Sequence, residues 1–90
     1  MGIVAVKIKI MPESPDTDLL EIKAKTEKLI GVNGGKNCQI SEEAIAFGLK
    51  ALIALFAWDE NKELEPMQEE IKKISGVNSC EVIDMRRAFG

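Results

Sequence analysis

Four acidic side chains are the residues of this chain whose type suits acid–base chemistry: Glu42, Glu43, Asp59 and Glu60. The hydrophobic pattern places all four in exposed turns or in an edge strand, where solvated carboxylates of ordinary behaviour are expected. No nucleophile is paired with a base, as nucleophilic catalysis would require. We therefore predict no catalytic residues and no covalent chemistry for this chain.

The sequence contains two cysteines, Cys38 and Cys80, and no histidine. The commonest general base and the commonest metal ligand are thus missing, and two cysteines cannot form a structural zinc site unaided. We expect no metal and no cofactor. In the fold inferred below, the cysteines lie on opposite edge strands, roughly 14 Å apart, which exceeds the roughly 7 Å that a disulfide allows between Cα atoms. They are predicted to be free thiols.

A glycine-rich segment, Gly34-Gly35-Lys36, must be compared with a phosphate-binding loop. The first glycine of that motif would fall on Ile30, and the hydroxyl residue after the lysine would be Asn37. The segment also follows a predicted helix instead of a strand. We interpret residues 32–37 as a connecting loop.

Length and charge limit the classes of partner. Ninety residues, 46% of them apolar, are typical of one domain, residues 1–90, with a small core. The net charge of −3 gives no long-range attraction to nucleic acid or to an anionic membrane, so we expect neither as a partner. The longest apolar run is about half of what spans a bilayer, and no signal peptide is visible. A cytoplasmic location is expected.

Hydrophobic periodicity predicts a strand and a helix in the first part of the chain. Residues 3–11 alternate and indicate a strand with one buried face. After a proline-bearing loop, Thr17 or Asp18 is expected to cap a helix, with Glu21 completing a capping box at Asp18. Gly31 is expected to end that helix in a left-handed conformation.

The remaining elements are two strands, a helix and a strand. A ragged strand over residues 38–46 suits a sheet edge, and the apolar run over 49–58 predicts a buried strand. The second helix is expected to begin at Glu65 or two residues earlier, and to stop at Gly76. The last strand is predicted over residues 77–85.

Both predicted helices end in similar strings, Leu-Ile-Gly-Val-Asn at 29–33 and Ile-Ser-Gly-Val-Asn at 74–78. Together with the element order, this short internal repeat indicates that the chain consists of two related halves. The order βαββαβ is that of an α+β fold, the ferredoxin-like split βαβ arrangement. The antiparallel sheet is expected to have the order 4-1-3-2, with both helices on one face.

Two features of this arrangement are unusual. Phe47-Gly48 is predicted to form the corner of a β-hairpin, where Gly48 can take the positive φ of a tight turn; the simpler expectation for the ring is that it packs over the edge of the domain's own core. The buried strand is apolar on both sides, with Ala51, Ile53, Leu55 and Ala57 on one and Leu52, Ala54, Phe56 and Trp58 on the other, so an apolar stripe faces the side of the sheet without helices. That open sheet face is expected to meet a partner or to lie under the chain's own tail.

The fold alone does not decide the function. An RNA-recognition module would need stacking aromatic residues on its first strand, which here offers Lys7 and Lys9 but no aromatic ring. A copper carrier would need paired cysteines in its first loop, and there are none. A ligand-sensing regulatory domain, acting as a homodimer through the open sheet face, stays open as an alternative function; it predicts a dimeric mass and a metabolite that raises thermal stability.

Three segments carry a resemblance to a known family: Ile-Met-Pro-Glu-Ser-Pro-Asp at 10–16, Ala-Ile-Ala-Phe-Gly-Leu-Lys-Ala-Leu at 44–52 and Glu-Val-Ile-Asp-Met-Arg-Arg at 81–87. They resemble archaeal elongation factor 1-beta, the guanine-nucleotide exchange factor for the translation GTPase elongation factor 1-alpha. The likeness runs the full length in matching order, and extends to the C-terminal exchange domain of the eukaryotic beta subunit.

The resemblance implies the same ferredoxin-like fold and a set of partner-binding residues. In the family, the hairpin-corner aromatic and the C-terminal end lie against the nucleotide domain of the GTPase, and a basic residue near the C-terminus reaches toward its magnesium and switch region. These positions match Phe47, beside Gly48, and Arg87, with Arg86 as the next choice. The eukaryotic pattern has a lysine where this chain has Arg87.

Overall fold

The computed structural model describes residues 2–89 and contains four strands and two helices. The elements are β1 Ile3–Pro12, α1 Leu19–Val32, β2 Lys36–Ala44, β3 Lys50–Asp59, α2 Glu65–Lys72 and β4 Val77–Phe89. The strands form one antiparallel sheet in the order β2-β3-β1-β4. The predicted α+β ferredoxin-like fold and its strand order are therefore confirmed.

The core lies between one face of the sheet and the two helices. Strict alternation in β1 buries Val4, Val6, Ile8 and Ile10, because successive side chains of a strand point to opposite faces. From α1 and α2, Ile22, Ile30, Met67 and Ile71 pack into the same cluster. The opposite face of the sheet carries no helix and is the open sheet face predicted from the sequence.

Helix α1 begins as predicted but ends later. Asp18 is the N-cap, and its carboxylate accepts a hydrogen bond from the backbone N–H of Glu21 at 3.2 Å. The Glu21 side chain pairs with Lys25 at 2.9 Å and does not complete the capping box. The prediction that Gly31 ends the helix is wrong: the helix runs through Gly31 to Val32. The left-handed glycine is Gly34, with φ +100°, whose N–H bonds back to the Gly31 carbonyl.

Helix α2 begins at Glu65, with Pro66 in its first turn, where the missing N–H of proline has no cost. The helix ends at Lys72, with Lys73 as its C-cap, so the prediction that it stops at Gly76 is wrong. Gly76 has φ +94° and lies in the turn between α2 and β4. Its carbonyl accepts a hydrogen bond from the Glu13 N–H at 2.8 Å, which ties this turn to the loop after β1. No helix within residues 2–89 combines the length and the apolar character needed to cross a membrane.

Strand β4 is longer than the predicted 77–85. It continues to Phe89 because β1 offers backbone partners over its whole length, with Val77 opposite Pro12 and Phe89 opposite Ile3. The pairing is interrupted by three register shifts. The chain's tail is thus an edge strand, and the expectation that it covers the open sheet face is wrong for the part of the chain that the structure describes. Gly90 lies outside the described residues.

Candidate partner-binding site

The β2–β3 hairpin closes in a two-residue turn made of Phe47 and Gly48. The Leu49 N–H donates to the Ala46 carbonyl at 2.9 Å, and the Ile45 N–H donates to the Leu49 carbonyl at 2.9 Å. Phe47 has φ 54° and Gly48 has φ 79°, the two positive values of a type I′ turn. This turn matches the twist of the paired strands, and its two positions favour Asn-Gly or Asp-Gly.

Phe47 is unusual for this turn in both its backbone and its side chain. A left-handed conformation costs a residue other than glycine about 1–3 kcal/mol. The ring is 96% exposed, so no burial within the domain offsets that cost. The expectation that Phe47 packs over the edge of the core is wrong, because the two-residue turn carries the ring away from the sheet. An exposed aromatic ring on a defined turn is a candidate contact for a partner.

The surface beside this turn is formed by the loop between β1 and α1. A Cβ built on Gly48 would lie 3.8 Å from the Pro15 Cβ, so the turn and the loop are neighbours. Between them is an open groove of about 440 Å³, lined among others by Pro12, Pro15 and Leu20. Leu20 is 73% exposed. This end of the sheet therefore presents exposed apolar side chains, of which Phe47 and Leu20 are the most exposed.

The two arginines lie on β4, opposite the beginning of β1. Arg86 pairs with Ala5 and Arg87 with Val4 in the sheet register. The Arg87 guanidinium contacts Glu60 Oε2 at 2.6 Å, and Arg86 Nε lies 3.0 Å from Asp84 Oδ2. Both arginine side chains are largely exposed, at 62% for Arg87 and 80% for Arg86. We call this the basic end of the sheet after its two arginines, each of which is paired with one carboxylate.

The structure places the predicted site residues in two separate groups. Val4 stands opposite both Arg87 and Trp58, while Phe47 precedes the start of β3 at Lys50. The eight residue steps from Lys50 to Trp58 span about 26 Å at about 3.3 Å per residue. Phe47 and Gly48 thus lie at one end of the sheet, and Arg86 and Arg87 at the other.

The residues considered for catalysis are dispersed. Glu42 lies 3.8 Å from Lys50 in an exposed ion pair, and Glu60 pairs with Arg87. Within residues 2–89 there is no cluster of three or more potential metal-ligating side chains. Glu42 and Glu60 thus form ion pairs, and the Asp59 carboxylate accepts a hydrogen bond from the Asn61 N–H.

Both cysteines are free, as predicted. Burial is the main reason that the pKa of the Cys80 thiol is raised to about 11. Burial, with a smaller effect from the Glu27 charge, also raises the pKa of Cys38. Because the thiolate is the reactive form, both side chains are poor nucleophiles at neutral pH.

The open sheet face carries exposed apolar side chains among lysines. Ile3 is 42% exposed, Leu55 39% and Ile83 46%. Ile53 and Ile83 line a shallow depression together with Lys7. The expectation that a second copy of the chain covers this face stays a prediction.

A family model matches this chain: the EF-1 guanine nucleotide exchange domain matches residues 5–88. The chain belongs to this family. It is 51% identical over 88 residues to elongation factor 1-beta of Methanosarcina barkeri, a match that covers 97% of this chain and 99% of the relative. It is 42% identical to elongation factor 1-beta of Methanothermobacter thermautotrophicus, with 97% and 98% covered.

A solved structure supports the fold. The chain described as BlrP1 BLUF superposes with a TM-score of 0.53 at 13% identity, covering all of this chain and 57% of that one; at this identity the likeness concerns the fold alone. The family resemblance inferred from the three sequence segments is confirmed, and the chain is a guanine-nucleotide exchange domain of translation elongation. The matched span includes Phe47, Gly48, Arg86 and Arg87.

Sequence reasoning missed three parts of the site. The left-handed Phe47 could have been inferred from the Phe47-Gly48 corner, since a two-residue turn with glycine in second place favours type I′, in which both residues have positive φ. The exposed Leu20 lies outside the apolar face of α1 but was given no role. The contact between Arg87 and Glu60 has no local signal, because 27 residues separate the two in sequence.

Proposed function

We propose that this domain accelerates the exchange of GDP for GTP on elongation factor 1-alpha, in the cytoplasm, by binding the GTPase and destabilising its bound GDP and magnesium. Membership of the exchange family gives the type of activity. The observation that carries the proposal at the level of residues is the 96% exposed ring of Phe47 on a left-handed turn. Such a feature has a cost to the free domain and is explained by a partner.

The mechanism is a coupling between two binding equilibria, without a bond made or broken in the nucleotide. A factor that binds the nucleotide-free GTPase more tightly than the GDP form by about 4 kcal/mol weakens GDP binding about a thousandfold, because the coupling free energy is reciprocal. GDP then dissociates, and GTP takes the vacant site. The domain supplies only binding energy, and its own residues undergo no chemical change.

Phe47 is the proposed apolar anchor. The type I′ turn fixes the backbone on both sides of the ring, so little conformational entropy is lost when the ring is inserted into a pocket. Gly48 supports this geometry, since its φ of 79° is open to glycine without strain. An inserted ring can hold a segment of the GTPase in a displaced arrangement.

Arg87 is the proposed cationic contact, with Arg86 beside it on the strand. A positive charge brought close to a bound magnesium ion weakens the binding of that ion by electrostatic repulsion. Guanidinium differs from the lysine ammonium of the eukaryotic pattern because it is planar and binds carboxylates or phosphates through two parallel hydrogen bonds. Arg87 can therefore compete for the oxygen ligands of the metal as well as repel the ion.

The separation of the two groups determines how the GTPase is bound. Phe47 and Arg87 are more than 20 Å apart along the sheet, given about 3.3 Å per residue over β3. One small pocket cannot receive both side chains. We propose that they contact two separate regions of the GTPase, so that the domain bridges them with its long sheet.

The test is the release of fluorescent GDP from purified archaeal elongation factor 1-alpha, with the factor at substoichiometric concentration. The expected result is acceleration, with each factor molecule acting on many GTPases. Phe47→Ala and Arg87→Ala should each slow exchange strongly while the fold, checked by circular dichroism, is kept. Val32→Ala is the matched control for Phe47, because Val32 is a 76% exposed apolar residue on α1. Wild-type rates for both variants would refute the assigned roles, and no acceleration by the wild type would refute the function.

A further inference from the structure

Glu60 occupies a fixed position at the basic end of the sheet. It follows β3, and its backbone N–H donates a hydrogen bond to the Gly2 carbonyl at 3.1 Å. Its side chain is only 28% exposed and lies over Gly2, where a Cβ added at position 2 would overlap the carboxylate. The backbone of Glu60 is therefore fixed by this hydrogen bond, and its carboxylate occupies the space left by the missing side chain at position 2.

This carboxylate contacts Arg87. The distance from an Arg87 Nη atom to Glu60 Oε2 is 2.6 Å, the short distance of a charge-assisted hydrogen bond. An arginine has five N–H donors, and the bond to Glu60 uses one of them. With the side chain 62% exposed, the other donors remain accessible to a partner.

We propose that Glu60 is the positioning residue for Arg87: it holds the guanidinium in the orientation in which Arg87 meets the GTPase. An arginine side chain at a strand end otherwise samples many rotamers, and binding must then restrict it. Glu60 restricts it before the encounter. This inference rests on the role proposed above for Arg87.

The same ion pair could instead slow nucleotide exchange. If Glu60 only neutralised Arg87 in the free domain, the two would have to separate on binding, and removal of Glu60 would speed exchange. The position of Glu60 favours the first effect, because the carboxylate contacts one edge of the guanidinium and leaves the remainder exposed. The pair is also partly exposed, so its loss should change the stability of the fold little.

The experiment compares variants of Glu60 in the GDP-release assay with elongation factor 1-alpha. Glu60→Ala should lower the exchange efficiency about fivefold, as expected when one long side chain must be ordered on binding. Glu60→Gln keeps an acceptor oxygen at the same reach and should retain most of the activity. Gly2→Ala should act like Glu60→Ala, because it displaces the carboxylate without removing it. Glu69→Ala, which removes an exposed carboxylate paired with Lys72 on α2, is the control and should be unchanged.

A double variant separates this inference from the function on which it rests. In the Arg87→Ala background, Glu60→Ala should cause no further loss, since there is no guanidinium to position. An Arg87→Ala variant that exchanges at the wild-type rate would refute the role of Arg87 itself. Slow exchange by Arg87→Ala, combined with unchanged or faster exchange by Glu60→Ala, would refute only the positioning role of Glu60. Equal losses from Glu60→Ala in both backgrounds would show a structural effect and refute it as well.

Discussion

Phe47 and Arg87 lie at opposite ends of one sheet, joined by strand β3. Phe47 stands in the turn before Lys50, and Arg87 is level with Trp58 through their common neighbour Val4. Strand β3 runs between the two ends and is largely buried, with Leu52, Phe56 and Trp58 in the core. Its rigidity keeps the two proposed contacts at a constant separation, which suits a domain that bridges two regions of a GTPase.

The distance between Phe47 and Arg87 predicts that their two contacts contribute independently to the free energy of GTPase binding. Sites more than about 10 Å apart that share no partner residues usually have additive free energies. The fold-losses in exchange efficiency caused by Phe47→Ala and Arg87→Ala should therefore multiply in the double variant. The measurement is the substoichiometric GDP-release rate of the four proteins. A double variant no slower than the worse single variant would indicate that both residues act on one shared step at one place.

Phe47 should be a residue at which stability and function conflict. Phe47→Asn creates the Asn-Gly pair that type I′ turns favour, and relieves the left-handed strain of a residue that buries nothing. We expect the free energy of unfolding to rise by about 1 kcal/mol, which is about 4–8 °C in Tm for a domain of this size. Exchange should fall strongly in the same variant. The two readouts are thermal unfolding and GDP release, and an unchanged or lower Tm would contradict the strain argument.

The control for that prediction is Gly48→Asn. Gly48 has φ 79°, which glycine adopts without strain, so replacing it should not stabilise the domain. A rise in Tm for both variants would show that asparagine stabilises the turn for reasons unrelated to the backbone of Phe47.

The sequence predicted the fold well because its signals are local. The alternation of β1 and the helix cap at Asp18 each depend on residues within a few positions of one another, and the structure has both. Two errors are local, namely the helix end expected at Gly31 and the capping box expected from Glu21. Other errors involve relationships between segments that are remote in sequence. Strand β4 extends past residue 85 because β1 supplies partners for it, and the position of the Phe47 ring depends on the twist of two strands.

The site was predicted only in part, for the same reason. Phe47 and Arg87 were singled out by their resemblance to the family, and their places in the fold are consistent with exposed contacts. The contact of Glu60 with Arg87 brings together the turn after β3 and the end of β4, and the carboxylate lies where a Cβ at position 2 would overlap it. No local pattern encodes such a contact between three distant segments.

Thr26 offers a test of the core. It is fully buried on α1, and its hydroxyl oxygen has no hydrogen-bond partner among the described residues. Burial of an unpaired hydroxyl is unfavourable, and valine has nearly the same shape without it. Thr26→Val should raise the free energy of unfolding by about 1 kcal/mol, measured by urea denaturation.

Thr17 is the matched control for Thr26. The Thr17 hydroxyl accepts a hydrogen bond from the Ser14 N–H at 3.2 Å, so Thr17→Val should lower stability by about 1 kcal/mol. Equal changes in both variants would mean that the hydroxyl of Thr26 is satisfied in solution, for instance by water.

The open sheet face predicts self-association. In the sheet register Lys7 stands beside Asp84 and Lys9 beside Glu81, so a positive row runs next to a negative row among apolar side chains. A copy related by a twofold axis can oppose these rows with opposite charge. We expect a dimeric mass by size-exclusion chromatography with light scattering, weakened by salt. Ile83→Glu should shift it to a monomer, whereas a monomeric wild type at millimolar concentration would contradict the prediction.

Alkaline pH should destabilise the domain through Cys80. Burial raises the folded-state pKa of this thiol from 9.0 to about 11, while the Lys72 charge lowers this pKa slightly and the Glu81 charge raises it slightly. Between these two pKa values the unfolded chain has lost the thiol proton while the folded domain retains it. The unfolded state therefore binds fewer protons, and the free energy of unfolding falls as pH rises, by up to about 1.4 kcal/mol per pH unit. Below pH 9 the contribution of the Cys80 thiol to stability is fully present.

Urea unfolding at a series of pH values measures how steeply stability falls with pH. Cys80→Ala should reduce this slope between about pH 9 and 11, even though the smaller side chain lowers stability at every pH. The same slope in both proteins would show that other groups cause the alkaline loss.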